Sequence, residues 1–104
     1  MTDSKPQVQC RVRVTRGKDI AVGPGKMELL AAIRDSGSIS GAARKMHMSY
    51  RRAWLLVETM NNCFKTPLVV TATGGVAGGG AHLTVEGGIV LEGYEAMMRE
   101  VEQV

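Results

Sequence analysis

Residues 37–60 read Gly-Ser-Ile-Ser-Gly-Ala-Ala-Arg-Lys-Met-His-Met-Ser-Tyr-Arg-Arg-Ala-Trp-Leu-Leu-Val-Glu-Thr-Met, and they describe two short helices joined by a tight turn. Ser38 and Ser49 are good N-caps, because a serine oxygen accepts from the orphan N–H groups of a helix start. Ile39, Ala42, Ala43 and Met46 fall at i, i+3, i+4 and i+7, which is one apolar helical face. Ala42 and Ala43 are small enough to let two short helices cross closely. A second face follows in Ala53, Leu56, Val57 and Met60. The exposed start of that second helix carries Tyr50, Arg51 and Arg52. Hydrogen-bonding and cationic groups at that position are what a helix-turn-helix presents to the DNA major groove. The plainer alternative is a helical hairpin with two solvated arginines. Both caps, the paired alanines and the basic start together weigh against it.

The stretch Gly-Ser-Ile-Ser-x-Ala-Ala-x-x-Met-x-Met-Ser-Tyr-x-x-x-Trp resembles the N-terminal DNA-binding domain of the ModE family of molybdate-responsive regulators. More distantly it is similar to the LysR-type helix-turn-helix. The resemblance continues through Gly74, Gly75, Gly78, Gly79, Gly80 and Ala81 into Leu83, Thr84 and Gly87, and runs from about Pro24 to the end. It implies an α+β winged helix-turn-helix: a three-helix core, a two-stranded glycine-rich wing, an N-terminal strand and a long C-terminal helix. It also implies that a C-terminal region of such regulators binds molybdate, a region that a chain ending at Val104 is expected to lack.

A chain of 104 residues is the size of one domain with one modest core. Aromatics make up only 4%, so that core must rest on aliphatic residues, alanine and seven methionines. A net charge of +3 suits a nucleic-acid partner without requiring one. No apolar run is long enough for a membrane span, and residues 1–9 lack the apolar centre of a signal peptide. The expected compartment is the bacterial cytoplasm. Cys10 and Cys63 are isolated and read as small buried side chains, not as a zinc site or a disulfide. No metal or cofactor is expected.

Residues 1–7 read as a loose tail. Val8 to Arg16 alternate, with Val8, Cys10, Val12 and Val14 on one face and Arg11 and Arg13 on the other, which predicts a half-buried strand. Gly17-Lys18-Asp19 is a turn, and Ile20 to Val22 a short partner strand. A support helix is expected over Gly25–Asp35, with Met27, Leu30 and Ala31 inward, Leu29 and Ile33 adjoining, Glu28 near its positive end and Gly37 as its stop. His47 reads as a polar turn residue and Trp54 as part of the core. Leu55 falls on the face opposite the core, which points to contact with another element or chain.

Leu68 to Thr73 is β-branched and reads as a strand, residues 74–80 as a glycine loop, and Ala81 to Thr84 as the returning strand. That loop lacks the Gly-Lys-Ser/Thr ending and the spacing of a nucleotide-binding loop. The family's wing often adds a basic side chain, whereas here Val76 and Ala77 leave backbone N–H groups for phosphate. His82 lies at the wing's base. Thr84 is the cap of a final helix over residues 84–104, with Glu86 in its first turn and Gly87 and Gly88 weakening its start. Its stripe of Val90, Leu91, Tyr94, Met97, Met98, Val101 and Val104 points to pairing with a second copy.

The leading expectation is a sequence-specific, homodimeric regulator bound to double-stranded DNA, with no membrane partner and an unknown effector. Tyr50, Arg51 and Arg52 would enter the groove, where an arginine bridging guanine O6 and N7 adds about 1–3 kcal/mol of discrimination. Ser38, Ser40 and Ser49 would lie near phosphates. Arg44, Lys45, Lys65 and the wing residues Gly78, Gly79 and Gly80 would supply salt-sensitive affinity. The alternative is a winged-helix protein-interaction module that does not bind DNA. An enzyme ranks last, because the chain offers no nucleophile–base pair, carboxylate dyad or metal cluster.

Overall fold

The structure, a computed structural model, describes residues 10–72 and 80–103. In chain order the elements are β1 (Val14–Arg16), β2 (Asp19–Val22), α1 (Pro24–Ser36), α2 (Ile39–Lys45), α3 (Tyr50–Asn62), β3 (Val69–Ala72), β4 (Gly80–Leu83) and α4 (Val85–Glu102). This is the expected α+β winged helix-turn-helix. Three helices form the core, β3 and β4 form an antiparallel pair after them, and α4 closes the chain.

Each helix has an identifiable start and stop. Pro24 opens α1, its fixed φ suiting a first helical position where no N–H is needed. Gly37 ends α1 with φ 76°, a left-handed conformation that favours glycine, and its N–H donates to the Ile33 carbonyl at 2.8 Å. The Gly37 carbonyl accepts from the Ala81 N–H at 2.9 Å, which ties the end of α1 to β4. Glu28, expected near the positive end of α1, lies one turn in, and the first turn holds no acidic residue. The Ser38 hydroxyl accepts from the Gly41 N–H at 2.9 Å and the Ser49 hydroxyl from the Arg52 N–H at 3.1 Å, so both serine caps are made.

Leu29, Leu30, Ile33, Met60, Leu68 and Leu91 are fully buried, each side chain stabilising the fold by about 1.5–3 kcal/mol. Ala42, Ala43 and Ala53 are buried where α2 and α3 cross, which is the close approach their size allows. Cys63 is buried as expected, whereas Cys10 is only half-buried.

The N-terminal strand is shorter than the alternation predicts. Among the described residues of that stretch only Val14–Arg16 pairs, and the register slips between Val14 and Thr15, where Ala21 bulges out of the opposing strand. Val14 is 51% exposed, so the expected apolar face does not bury it. The inward residues of this hairpin are Ala21 and Val22 on β2. The expected tail at 1–7 lies outside the described residues, as does the wing tip at 73–79. Gly80, expected in the loop, is the first residue of β4 and pairs with Ala72.

The start of α4 also differs from its reading. The Thr84 hydroxyl accepts from the Gly87 N–H at 3.0 Å and itself donates to the Pro67 carbonyl at 2.7 Å. That pair of bonds presses the first turn of α4 onto the chain before β3. A β-carbon at Gly87 would overlap the Leu68 carbonyl oxygen and lie 3.0 Å from its carbon. Gly87 therefore makes the contact possible; it is not merely a weak helix former.

The apolar stripe of α4 is split. Of the residues expected to pair with a second copy, Leu91 is buried and Val90 and Tyr94 pack on this chain's own core, Met97 is 37% exposed, and Val104 lies outside the described residues; Val85 and Ile89, which are not in that stripe, are 75% and 64% exposed. Gln103 caps the end of α4.

Candidate nucleic-acid interface

Ser49 holds the first turn of α3 in place, and from it the exposed side chains fan out. Ala53, Val57 and Met60 face the core. At about 100° per residue this leaves Arg51, Leu55 and Glu58 on the outward face. Tyr50 and Trp54 fall on one flank and Arg52 and Leu56 on the other. Tyr50 is 56% exposed, and neither Arg51 nor Arg52 makes a side-chain hydrogen bond or ion pair with any described residue. The two arginines do not converge. Arg51 points outward and Arg52 turns toward the N-terminal segment.

Ser38 is half-buried and its hydroxyl is engaged in capping α2, while Ser40 is exposed. The Ser49 oxygen is likewise engaged by the Arg52 N–H. Arg44 and Lys45 occupy the last turn of α2, where cations complement the helix dipole. Arg44 is exposed beside the turn that leads into α3. Lys45 turns back toward α1, its Nζ 3.8 Å from an Asp35 oxygen. The Asp35 carboxyl lies below the ordinary aspartate range, first through the hydrogen bond from Arg34 and then through the charges of Arg34 and Lys45.

The turn itself is tight. His47 has φ 57°, and it is exposed. Histidine is one of the non-glycine residues that tolerate this region. Among the described residues no group of three His, Cys, Asp or Glu side chains lies close enough to hold a metal ion.

Two residues of the expected contact set, Lys65 and Gly80, stand apart from the start of α3. Lys65 follows the far end of α3, whose 13 residues at 1.5 Å each span about 20 Å from its Tyr50 start. Gly80 lies in β4, its backbone against the Gly37 carbonyl. Gly78 and Gly79 lie outside the described residues.

Trp54 is not a core residue. It is 41% exposed and borders a hollow of about 240 Å³ with Ile39, Val57, Asn61, Val69 and Thr71. It therefore joins Tyr50 in an aromatic flank between α3 and the wing strands. The i, i+4 spacing of Tyr50 and Trp54 is the signal that could have found it. Leu55 is 45% exposed, and His82 is exposed on β4 opposite Val70.

Comparison with known proteins fits this geometry. A family model described as bacterial regulatory helix-turn-helix protein, LysR family, matches residues 25–88, which run from α1 into the first turn of α4. The molybdenum-pterin-binding protein MopB of Rhodobacter capsulatus is 47% identical over 76 residues, covering 73% of this chain and 28% of that protein. The molybdenum transport protein ModE of Azotobacter vinelandii is 40% identical over 82 residues, covering 79% of this chain and 30% of that protein. The DNA-binding transcriptional dual regulator ModE of Escherichia coli K12 is 39% identical over 80 residues, or 77% and 30%. The chain thus spans less than a third of the length of the curated relatives it matches.

Proposed function

Because this chain belongs to the bacterial regulatory helix-turn-helix family of the LysR type, carrying a ModE-type helix-turn-helix domain, we propose that it is a sequence-specific transcriptional regulator acting on double-stranded DNA. The observation that carries the reading is the start of α3, where the Ser49 cap presents exposed Tyr50 and Arg51 with no protein partner among the described residues. Arg51 reads a base edge, and Tyr50 and Trp54 border the same groove. Ser38, Ser40, Arg44 and Ser49 lie along the phosphates, and the wing adds backbone contacts near Gly78 and Gly79. Lys45 contributes less than an unpaired lysine, because Asp35 shares its charge.

The protein acts as a homodimer and is not an enzyme. Val85, Ile89, Gly93 and Ala96 fall at i, i+4, i+8 and i+11 on α4 and are all exposed, which supports a second copy packing there. No described helix is long and apolar enough to cross a membrane, which is compatible with work in the bacterial cytoplasm.

An electrophoretic binding assay of Arg51→Ala tests the reading. Loss of one bidentate base contact is expected to weaken binding to the preferred duplex by about 1–3 kcal/mol and to relax discrimination at one position. Unchanged operator binding by Arg51→Ala contradicts the groove assignment. A second reading, a protein-interaction module, draws on the exposure of Leu55 and Trp54 on α3. A wild-type protein that ignores duplex DNA at low salt favours it.

A further inference from the structure

We propose that the N-terminal segment, the start of α1 and Arg52 of α3 together form a clamp for backbone phosphate of the duplex, on the flank of α3 away from Trp54. Arg11, Arg13, Lys26 and Arg52 line one concave surface of about 270 Å³, with Met48 and Leu56 at its apolar side. These four cations come from three separate parts of the chain, and among the described residues no acidic one lines the surface. None of the four side chains makes an ion pair with a described residue. Gathering like charges without a counter-charge is unfavourable in the isolated protein, and an anion between them removes that cost.

The position selects the anion. Met48 immediately precedes the Ser49 cap, so the cleft opens beside the α3 start whose outward face carries Arg51. A duplex entered by that helix end brings its sugar–phosphate backbone alongside. The inference rests on the DNA-reading proposal, and it divides the two adjacent arginines by role. Arg51 specifies, whereas Arg52, Arg13, Arg11 and Lys26 position the duplex without reading sequence.

The test measures affinity for a preferred and an unrelated duplex across a salt series, using wild type, Arg13→Gln, Lys26→Gln and Arg52→Gln. Arg99→Gln, a charge removal on exposed α4, serves as the control. Each clamp variant is expected to weaken both duplexes equally and to lower the slope of log affinity against log salt by about 1. Between 50 and 200 mM salt that corresponds to roughly 3.5-fold less loss than wild type suffers. Arg99→Gln is expected to leave the slope unchanged.

Wild-type slopes in all three clamp variants overturn the clamp while leaving the DNA-reading proposal standing. An equal slope change in Arg99→Gln also overturns it, because net charge alone then explains the effect. A wild type that binds no duplex defeats the reading beneath it. Titration with inorganic phosphate at constant ionic strength separates the remaining source. Saturable binding of the free anion, with DNA affinity unaltered in the variants, assigns the cleft to a small ligand instead.

Discussion

At the scale of single residues, Gly87 carries the most consequence for the least chemistry. It lets the first turn of α4 meet the backbone of Leu68, a contact Thr84 reinforces from both sides through its cap and its bond to Pro67. Gly88, its neighbour, faces open space. Gly87→Ala is expected to destabilise the domain by about 2 kcal/mol through forced displacement of Leu68. Gly88→Ala is expected to be neutral or to stabilise by up to about 1 kcal/mol, as alanine lowers the cost of ordering a helix. Urea unfolding of the two variants decides it, and equal effects would show that the close approach does not matter. The family resemblance includes Gly87 and not Gly88, but local propensity treats the two glycines alike. The one that matters is defined by a backbone far along the chain, which local propensity does not see. Trp54 lies outside the core for a related reason. Helical spacing locates a flank of α3, but whether β3 covers that flank depends on how the wing strands pack.

At the scale of elements, the helix-turn-helix was legible because its signals are local. Ser38 and Ser49 each bond an N–H three residues on, and the buried alanines sit where the spacing put them. Ser49→Ala is expected to cost about 1 kcal/mol of stability. Ser49→Asp keeps a capping oxygen and adds a favourable charge at the positive helix end, so its stability should match wild type. Its DNA affinity should fall, because a carboxylate then faces phosphate. Thermal melts paired with binding titrations separate the two roles. An Asp variant that binds as wild type does would remove Ser49 from the interface. The far end of α3 was less legible. Asn61 accepts from the Leu68 and Val69 N–H groups at 2.8 and 3.2 Å and donates to the Val69 carbonyl at 3.1 Å. This amide stitches the helix to β3. Its partners lie across a connection whose path no periodicity describes. The N-terminal strand failed differently, since alternation cannot reveal a bulge, and the bulge at Ala21 leaves Val14 outside.

At the scale of the whole molecule, the charges and the apolar surface divide the labour. Cations gather around the start of α3, while Glu92, Glu100 and Glu102 are exposed on α4. On the proposed reading, DNA and a second copy take different faces. Ile89→Asp is expected to convert the dimer to monomer in analytical ultracentrifugation without lowering helix content, since Ile89 is 64% exposed. A wild-type protein that sediments as a monomer at all concentrations would contradict the pairing. Dimerisation and DNA reading then join in one geometry, because two recognition helices related by a two-fold axis read two half-sites about one helical turn apart. The most direct measurement is selection of bound duplexes from a random pool at two salt concentrations, followed by sequencing. The expected result is an enriched, two-fold symmetric motif whose recovery falls steeply with salt. Retention with no enriched motif, or no retention at low salt, would contradict sequence-specific regulation by this chain.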